Sequence, residues 1–349
     1  KRETEISLGS NYLMEIDGKK IGRNNPVYII AEGGVAHFGS LPKAKELVDI
    51  AVTAGADAFK LQAFQTDHLI ANSLPDWKRR MKSREVGFDF IKDISEYCAL
   101  RGITFLCTPH EPSVLTWLEK LRIPAYKVGS GERGNHDFLR EIAKLKKPMI
   151  LSTGTHREED IRASLDAVNS MGKLDIALLH CVTAYPVPFE QANLRIISRY
   201  LDLFENPIGY SDHTEGSTAC LLAVAIGACI IEKHIAVDFD VPDAQDWRVS
   251  CGPRTFKEFV GRIRKAEKLM GSGEIERNIC EDAALGWAIK SIVASKDLPA
   301  GHVIRDSDML AKRAGGLGLP PNRRDILLGR KLKLLKKKDE TIEVSDLYG

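Results

Sequence analysis

Two histidines end neighbouring predicted strands in the stretch from residue 207 to residue 234. The letters are PIGYSDHTEGSTACLLAVAIGACIIEKH, a pattern typical of strand, loop, helix and strand. His213 follows the first strand and His234 ends the second. Residues just past parallel strands gather at one face, so both imidazoles are expected to point to the same place. Such a pair predicts a divalent-metal site with positions open to substrate. The alternative is that each is an ordinary hydrogen-bonded structural histidine.

Polar residues recur at the other predicted strand ends. Lys60 and Lys127 lie inside apolar strands, where an ammonium group is costly unless something anionic faces it. With nearby hydroxyls and the Gly-Ser-Gly turn at 129–131, they are suited to holding a phosphate and a carboxylate. The alternative is a structural lysine–glutamate pair. The strand ends contribute Glu32, Lys60, Gln62, Thr108, His110, Lys127, Ser130, Glu132, Ser152, Thr153, His180, Thr183, Tyr185, Ser211, His213, Lys233 and His234.

Strand and helix patterns alternate through residues 27–270. Predicted strands lie at 27–31, 58–62, 103–107, 125–128, 149–151, 176–180, 207–210 and 229–232, and a closing helix at 255–270. Eight such units predict an α/β fold, a (β/α)8 TIM barrel. An open doubly wound sheet is the alternative, but its G-x-G-x-x-G turn is absent after the first strand.

Four segments depart from this alternation. Residues 1–26 are expected to form a hairpin around Asp17-Gly18 that plugs the barrel bottom or serves as an arm. The polar stretch 66–86 is too irregular for the barrel wall and is expected to be a functional lid or a disordered segment. Residues 271–289 read as a linker. Residues 290–349 read as a small β-rich domain with strands at 291–294 and 303–304.

Composition excludes several classes of protein. The 349 residues carry a net charge of +2 with 28% charged residues, which gives no reason to expect nucleic acid as a partner. No apolar run is long enough for a membrane span, and the first residues show no signal core. The 7 cysteines include no CxxC, which fits reduced thiols. A cytoplasmic location is therefore expected.

Several motifs resemble the sialic-acid synthase family, the phosphoenolpyruvate-dependent nonulosonic acid synthases that include a spore-coat-polysaccharide branch. They are IAE at 30–32, AGADAFKLQ at 54–62, YKVGSGE at 126–132, LSTG at 151–154, YSDHT at 210–214 and IEKH at 231–234. In the last domain, residues 291–303 and Lys312-Arg313 also match. The resemblance covers nearly the whole chain and implies a barrel followed by a small SAF (antifreeze-like) domain.

The resemblance also implies roles for individual residues. The histidines matching His213 and His234 hold the metal, which is manganese in the first instance, with magnesium or cobalt as alternatives. Glu32 and Glu132 face the sugar and the reacting centre. The residues implied to bind phosphoenolpyruvate are Lys60, Gln62, Thr108, Lys127, Ser130, Ser152 and Ser211. Those implied to bind the acceptor are Glu32, Thr183, Tyr185, Asp246 (with Asp243 as the alternative) and Arg313, the last reaching over from a partner subunit in a domain-swapped homodimer.

The implied reaction joins carbon 3 of phosphoenolpyruvate to the aldehyde of an open-chain amino sugar. Water then adds to carbon 2, with a carboxylate such as Glu132 taking its proton, and phosphate leaves by C–O cleavage. The alternatives are an octulosonate or heptulosonate synthase, which lacks the SAF-like module, and a non-catalytic sugar-binding relative.

The chain departs from the family pattern mainly where acceptors bind. It has GVAHFG at 34–39, Thr183 in place of an asparagine, His110-Glu111 in place of Phe-Asp, and Ala314 in place of a proline. The reaction class therefore follows from the resemblance, whereas the sugar does not. N-acetylmannosamine is expected to be a poor acceptor.

Overall fold

The computed structural model describes residues 13–242 and 244–348, and the chain divides into two compact units after Gly271. Eight parallel strands of the first unit close into a barrel, which confirms the predicted α/β barrel. Two short strands, β1 (Met14–Ile16) and β2 (Lys19–Ile21), form a separate hairpin before the barrel. The eight barrel strands are β3 (Tyr28–Gly34), β4 (Ala58–Ala63), β5 (Thr104–Pro109), β6 (Tyr126–Val128), β7 (Met149–Ser152), β8 (Ile176–Cys181), β9 (Ile208–Asp212) and β10 (Ile230–His234). The barrel closes where β10 pairs with β3.

Helices surround the barrel, and all except α2 and α3 bury apolar residues against it. They are α1 (Leu41–Ala54), α2 (Thr66–Leu69), α3 (Pro75–Lys82), α4 (Phe88–Arg101), α5 (Leu115–Lys120), α6 (His136–Lys144), α7 (Glu158–Asn169), α8 (Arg195–Leu203), α9 (Thr218–Ile226) and α10 (Pro253–Met270). Local chemistry sets their ends. The Ser40 hydroxyl accepts a hydrogen bond from the Lys43 N–H at the start of α1, and Gly55 ends that helix at a φ of 81°.

The inward side chains change character along each strand. Near the strand starts they are apolar, as at Ile30, Leu106 and Ile150, and they join one buried cluster. Two residues further on they are polar, as at Glu32 and Thr108. Successive side chains of a strand point to opposite faces, so residues two apart share the barrel interior. One end of the barrel is therefore filled with hydrocarbon, and the carboxyl end is lined with polar groups.

The hairpin of β1 and β2 closes the apolar end. Met14, Ile16 and Ile21 are buried in the same cluster as the inward residues near the strand starts. The Thr104 hydroxyl donates a hydrogen bond to Asp17 Oδ2 at 2.8 Å, which ties the turn to the start of β5. The structure therefore selects the plug over the arm for this hairpin.

The excursion between β4 and α4 is more ordered than the sequence indicates. It contains helices α2 and α3, and α3 begins with Pro75 at its first turn. Ion pairs hold it together, among them Lys78 with Asp67 and Lys82 with Glu85. No residue of α3 is buried, so the apolar periodicity that marks a core helix is missing from its sequence.

The second unit is a small β-containing structure with its own buried cluster. Its elements are helix α11 (Asp282–Trp287) and the antiparallel strands β11 (Lys290–Ala294) and β12 (Met309–Arg313). The predicted strand at 291–294 is confirmed. The predicted strand at 303–304 is reduced to one bridge between Val303 and Lys331. The segment predicted as a linker contains α11, so part of it is helical.

All 7 cysteines lie within the described part of the chain, and all are free thiols. Cys280 is exposed and the other thiols are buried. Within residues 13–242 and 244–348, the helices are too short or too polar to cross a bilayer.

Candidate active site

A cavity of about 480 Å³ opens at the polar, carboxyl end of the barrel. This volume suits a small organic ligand. Strand ends from around the barrel contribute to its wall, as expected for the catalytic face of this fold. The residues that were predicted from the sequence and that line it are Glu32, Lys60, Gln62, Thr108, His110, Lys127, Ser130, Ser152, Thr183, Tyr185, Ser211, His213, His234 and Asp246.

Two buried lysines lie side by side on the cavity floor, joined through a carboxylate absent from the predicted set. Glu232 Oε2 is 3.7 Å from Lys60 Nζ, and its Oε1 is 3.5 Å from Lys127 Nζ. Lys60 Nζ also lies 2.7 Å from Glu32 Oε2. Each lysine donates to a hydroxyl, Lys60 to Thr108 at 3.1 Å and Lys127 to Ser152 at 2.8 Å. The sequence left a structural lysine–glutamate pair as an alternative. The structure contains this pairing, and it lies inside an open cavity.

The carboxylates keep this lysine pair suited to anion binding. Burial opposes charge on Lys60, but Glu232 and Glu32 raise its pKa. Burial and the neighbouring Lys60 lower the pKa of Lys127, and Glu232 works in the opposite direction. Glu232 Oε2 is buried and has no hydrogen bond within the described residues. Buried polar atoms are normally satisfied, so this orphan atom fits a site built to receive a ligand or water.

His213 and His234 meet at the rim of the cavity, with ring centroids 5.3 Å apart. His213 Nδ1 lies 2.8 Å from the Val182 carbonyl oxygen. Because a carbonyl only accepts, Nδ1 carries the proton and Nε2 is left with its lone pair. Burial lowers the pKa of His234 to about 4, which keeps its imidazole neutral. Burial lowers the pKa of His213, but Cys181 and the Val182 carbonyl raise it overall. An imidazole oriented by a backbone carbonyl is suited to binding a divalent metal.

A divalent metal bound between these two imidazoles would have two protein ligands. Among the described residues, no three histidine, cysteine, aspartate or glutamate side chains converge on one point. Two imidazoles leave the other coordination positions to water and substrate, which is the open arrangement that catalysis requires. The residues present therefore fit a catalytic divalent ion better than a closed structural one.

A buried ion pair joins the two strand ends that carry His213 and His234. Lys233 Nζ lies 2.7 Å from Asp212 Oδ2, and both side chains are 0% exposed. Lys233 also donates to the Thr214 carbonyl at 2.6 Å, and Asp212 accepts from the Thr214 N–H at 2.8 Å. Asp212 precedes His213 and Lys233 precedes His234. The pair therefore ties together the ends of β9 and β10, from which the two imidazoles project.

The acceptor residues predicted in the barrel lie around the histidines. The ring of Tyr185 is 4.1 Å from that of His213 and 5.9 Å from that of His234. Thr183 lines the cavity beside Gly154, where an added Cβ would collide with the Thr183 hydroxyl. Asp246 begins a short 3₁₀ helix at the cavity edge. Its alternative, Asp243, lies outside the described residues.

Glu132 does not join this group. It ends a 3₁₀ turn, Ser130–Glu132, which carries it past the strand end. Its carboxylate accepts from Asn135 Nδ2 at 2.7 Å, at the start of α6, and it is absent from the cavity wall. The expected role of Glu132 at the reacting centre stays a prediction.

Arg313 ends strand β12 of the second unit. Its guanidinium lies 5.7 Å from the centre of the Trp287 ring. The turn that follows uses glycines at positive φ, 66° at Gly315 and 80° at Gly316. This backbone region favours glycine, so the turn after Arg313 is specified by its sequence.

Sequence reasoning missed several wall residues. Glu232 lies two residues before His234 on one strand, so strand periodicity alone would have placed it on the inner face. Helix α3 and the residues after it contribute Trp77, Arg80, Met81 and Arg84. These residues are three or four positions apart, as on one face of a helix, but no local pattern shows that this face is directed towards the cavity.

Comparisons with known proteins agree with this geometry. The NeuB family profile matches residues 47–275, and the SAF domain profile matches residues 289–347. The N,N'-diacetyllegionaminic acid synthase of Campylobacter jejuni is 34% identical over 90% of this chain and 98% of its own length. An uncharacterised protein of Methanocaldococcus jannaschii is 36% identical over 96% of this chain and 99% of its own length.

A solved structure extends the similarity. The N-acetylneuraminic acid synthetase of Leptospira borgpetersenii, crystallised with citrate, is 33% identical with a TM-score of 0.74. The match covers 78% of this chain and 95% of that chain. Where their activity is named, these relatives are synthases of sialic or related acids. Since the family profile covers most of the barrel and the relatives align over nearly the full length, the chain belongs to the NeuB family and ends in an SAF domain.

Proposed function

We propose that this protein condenses phosphoenolpyruvate with an open-chain N-acylated amino sugar, releasing phosphate and a nonulosonic acid. The observation that carries the proposal is the pair of buried lysines, Lys60 and Lys127, in an open cavity that also holds two imidazoles. Phosphoenolpyruvate carries a phosphate and a carboxylate, and two fixed ammonium groups with hydroxyl donors match two anionic groups. A non-catalytic sugar-binding protein has no need for this charge arrangement.

The chain's own groups divide the work. Lys60 with Thr108 and Lys127 with Ser152 hold the two anionic ends of phosphoenolpyruvate. Ser130, Ser211 and Gln62 supply further donors around it. His213 and His234 would hold a divalent metal, manganese in the first instance. When bound, that metal supplies Lewis-acid polarisation of the acceptor's aldehyde oxygen.

Orientation follows from the same contacts. The lysines and hydroxyls lie on the floor and the imidazoles at the rim, so carbon 3 of phosphoenolpyruvate can face an aldehyde bound beside the imidazoles. Glu32, Tyr185, Thr183 and Asp246 border the acceptor and fix its hydroxyls. Holding both reactants in this way removes most of the entropy cost of bringing them together.

The acceptor is proposed to be a diacetamido-trideoxy hexose or a similarly modified sugar. Trp77, Met81 and Val35 bring apolar surface to the cavity wall, which suits a sugar end that lacks a hydroxyl. Thr183 replaces the family's asparagine on the acceptor side. The relatives reported above name a legionaminic acid product at 34% identity and a sialic acid product at 33%. Because these identities are nearly equal, they do not indicate which sugar is the acceptor, and the assignment rests on the side chains of the cavity wall.

One experiment tests both the reaction and the acceptor. Phosphoenolpyruvate labelled with ¹⁸O in its bridging oxygen is incubated with Mn²⁺ and a panel of amino sugars. We expect the label to appear in the released phosphate, because the C–O bond breaks, and a diacetamido-trideoxy hexose to give the highest kcat/KM. Phosphorus NMR reads the isotope shift, and mass spectrometry reads the product. Label retained in the keto acid would contradict the reaction, and N-acetylmannosamine as the best acceptor would contradict the sugar assignment.

We also propose a domain-swapped homodimer in which Arg313 of one subunit contacts the acceptor bound by the other. Arg313 has a cation–π contact with Trp287 and no carboxylate partner among the described residues. The test mixes Arg313→Ala chains with His213→Ala chains, each nearly inactive alone. Random exchange should recover about a quarter of wild-type activity, because half the dimers then contain one complete site. No recovery, with exchange confirmed by native mass spectrometry, would reject the arrangement.

A further inference from the structure

A narrow side cleft adjoins the main cavity just after the end of β3. Its volume is about 10 Å³, which is room for one water-sized group. The apolar residues of its wall are Val35, Ala36, Phe38, Ala236, Ala244 and Trp247. Val35, Arg84 and Asp246 line both the cleft and the main cavity, so these three residues stand at the junction. A group bound in the cavity can therefore extend past them into the cleft.

The turn that forms one wall of the side cleft is held in place. The Phe38 N–H donates to the Val35 carbonyl at 3.1 Å. The Gly39 N–H donates to Nδ1 of His37 at 3.0 Å, and His37 is 0% exposed. Val35 and Ala36 are buried as well. The two small side chains that narrow the cleft are therefore fixed, and their size limits what can enter.

The other wall follows β10 and has its polar groups already engaged. Trp247 lies in the 3₁₀ helix that begins at Asp246, and its Nε1 donates to the Val241 carbonyl at 3.2 Å. Asp238, also a wall residue, forms an ion pair with Lys43. The interior of the cleft is therefore left with hydrocarbon contacts. Apolar spaces of this kind stay dry, so a small apolar group can fill them without displacing bound water.

Asp246 carries a carboxylate that is open to a donor. Its backbone carbonyl accepts from Ser250, but within residues 13–242 and 244–348 its side chain has no hydrogen bond or ion pair. The carboxylates on the cavity floor differ in this respect. Glu32 and Glu232 both lie beside the ammonium group of Lys60. Asp246 is therefore placed to accept a hydrogen bond from a ligand at the junction.

Arg84 brings a guanidinium group to the same junction. Its guanidinium carbon lies 5.5 Å from the centre of the Phe38 ring, a cation–π contact that orients the group. A secondary amide presents an N–H donor, a carbonyl acceptor and an alkyl end. Asp246 can accept from the first, Arg84 can donate to the second, and the side cleft has room for the third.

We propose that the side cleft holds the methyl end of one acetamido group of the acceptor and thereby selects N-acetyl over longer N-acyl groups. This assignment rests on the proposed condensation with an acylamino sugar. A methyl group is close to water in size and fits the cleft, whereas each further methylene has to displace Val35, Ala36 or Trp247. The second carboxylate oxygen of Asp246 stays available to a hydroxyl of the same sugar.

The test varies the acyl group on one nitrogen of the acceptor at a time. Diacetamido-trideoxy hexose and derivatives with one formyl, propanoyl or butanoyl group are assayed with phosphoenolpyruvate and Mn²⁺. At one nitrogen we expect kcat/KM to fall about tenfold or more from acetyl to propanoyl, because a close-fitting apolar pocket discriminates by about that factor per methylene. The corresponding alditols lack the aldehyde and cannot react. Their calorimetric Kd, measured with phosphoenolpyruvate and Mn²⁺ present, should follow the same order.

Two substitutions should move this size limit in opposite directions. Val35→Ala widens the cleft and should reduce the acetyl-to-propanoyl ratio to about threefold or less. Ala36→Leu fills the cleft and should lower kcat/KM for the acetyl acceptor about tenfold, with the formyl acceptor changed less than about threefold. Val260→Ala is the matched control. It removes the same two methyl groups from a buried valine of α10 that lines neither cavity, so the ratio should stay at the wild-type value.

Arg84→Met tests the amide contact. It should raise the Kd of the diacetamido alditol about tenfold or more, as expected for a lost hydrogen bond from a charged donor. The analogue with a hydroxyl in place of that acetamido group should change less than about threefold, since it has no carbonyl to lose.

The outcomes separate this assignment from the reaction itself. Equal kcat/KM for acetyl and butanoyl acceptors at both nitrogens would overturn the assignment. A size limit that Val35→Ala leaves unchanged would do the same, even if Ala36→Leu failed to fold. Alditols that show the size limit while no acceptor is turned over would reject the condensation and leave the cleft assignment standing.

Discussion

His213→Ala and His234→Ala are each expected to lower turnover about a thousandfold and to remove bound Mn²⁺. Each substitution takes away one of the two imidazoles that the protein offers the metal. Lewis-acid stabilisation of developing charge is worth several kcal/mol, and about 1.4 kcal/mol corresponds to a factor of ten in rate. Metal content measured by atomic absorption after dialysis gives a readout independent of catalysis.

The fold should survive both changes, because the barrel core is formed by other residues. Thermal unfolding of the metal-free proteins checks this point. His68→Ala serves as the control, since it removes an exposed imidazole elsewhere on the barrel and should leave metal content and rate unchanged. Retention of stoichiometric Mn²⁺ by the His213→Ala, His234→Ala double variant would place the metal elsewhere.

Lys233→Met is expected to lower the free energy of unfolding by about 3–5 kcal/mol. The substitution leaves Asp212 as an uncompensated buried charge, since its Oδ2 is 2.7 Å from the lysine and both side chains are 0% exposed. It also removes the donor to the Thr214 carbonyl. Urea unfolding followed by circular dichroism measures the change. Metal affinity should fall as well, because the pair ties together the strand ends that carry His213 and His234.

A double variant separates the charge effect from packing. Asp212→Asn with Lys233→Met removes both charges, and its loss of stability should be smaller than that of Lys233→Met alone, because no charge is left unpaired. Lys92→Met provides a control, since this lysine pairs with Glu96 at 3.7 Å and the two side chains are 47% and 65% exposed. It should cost less than about 1 kcal/mol. A double variant less stable than Lys233→Met would show that packing, not charge, dominates at this site.

Strand periodicity carried the sequence prediction furthest. Every second residue of a strand points into the barrel. Once the strands are located, this rule predicts the inward orientation of Lys60, Thr108, Lys127, Ser152 and Ser211. The barrel brings their ends together by its closure, which is why a set read from separate segments lines one cavity. The same rule would have added Glu232, since it shares a strand face with His234.

Side chains beyond the strand ends could not be placed in this way. Glu132 lies in a 3₁₀ turn after β6, and strand periodicity does not predict that its carboxylate accepts from Asn135 Nδ2. Helix α3 has no buried residue, so its sequence gives no apolar face from which to infer its position. Yet Trp77, Arg80 and Met81 end on the cavity wall.

The sequence by itself determined the order of strands and helices, the inward polar residues and the histidine pair, because these depend on local periodicity and on strand ends. Only the tertiary structure decided that the hairpin plugs the barrel, that Glu232 joins the two lysines, and that helix α3 borders the cavity. Those outcomes depend on contacts between residues far apart in the chain, such as Lys127 and Glu232, and no local pattern specifies such distances.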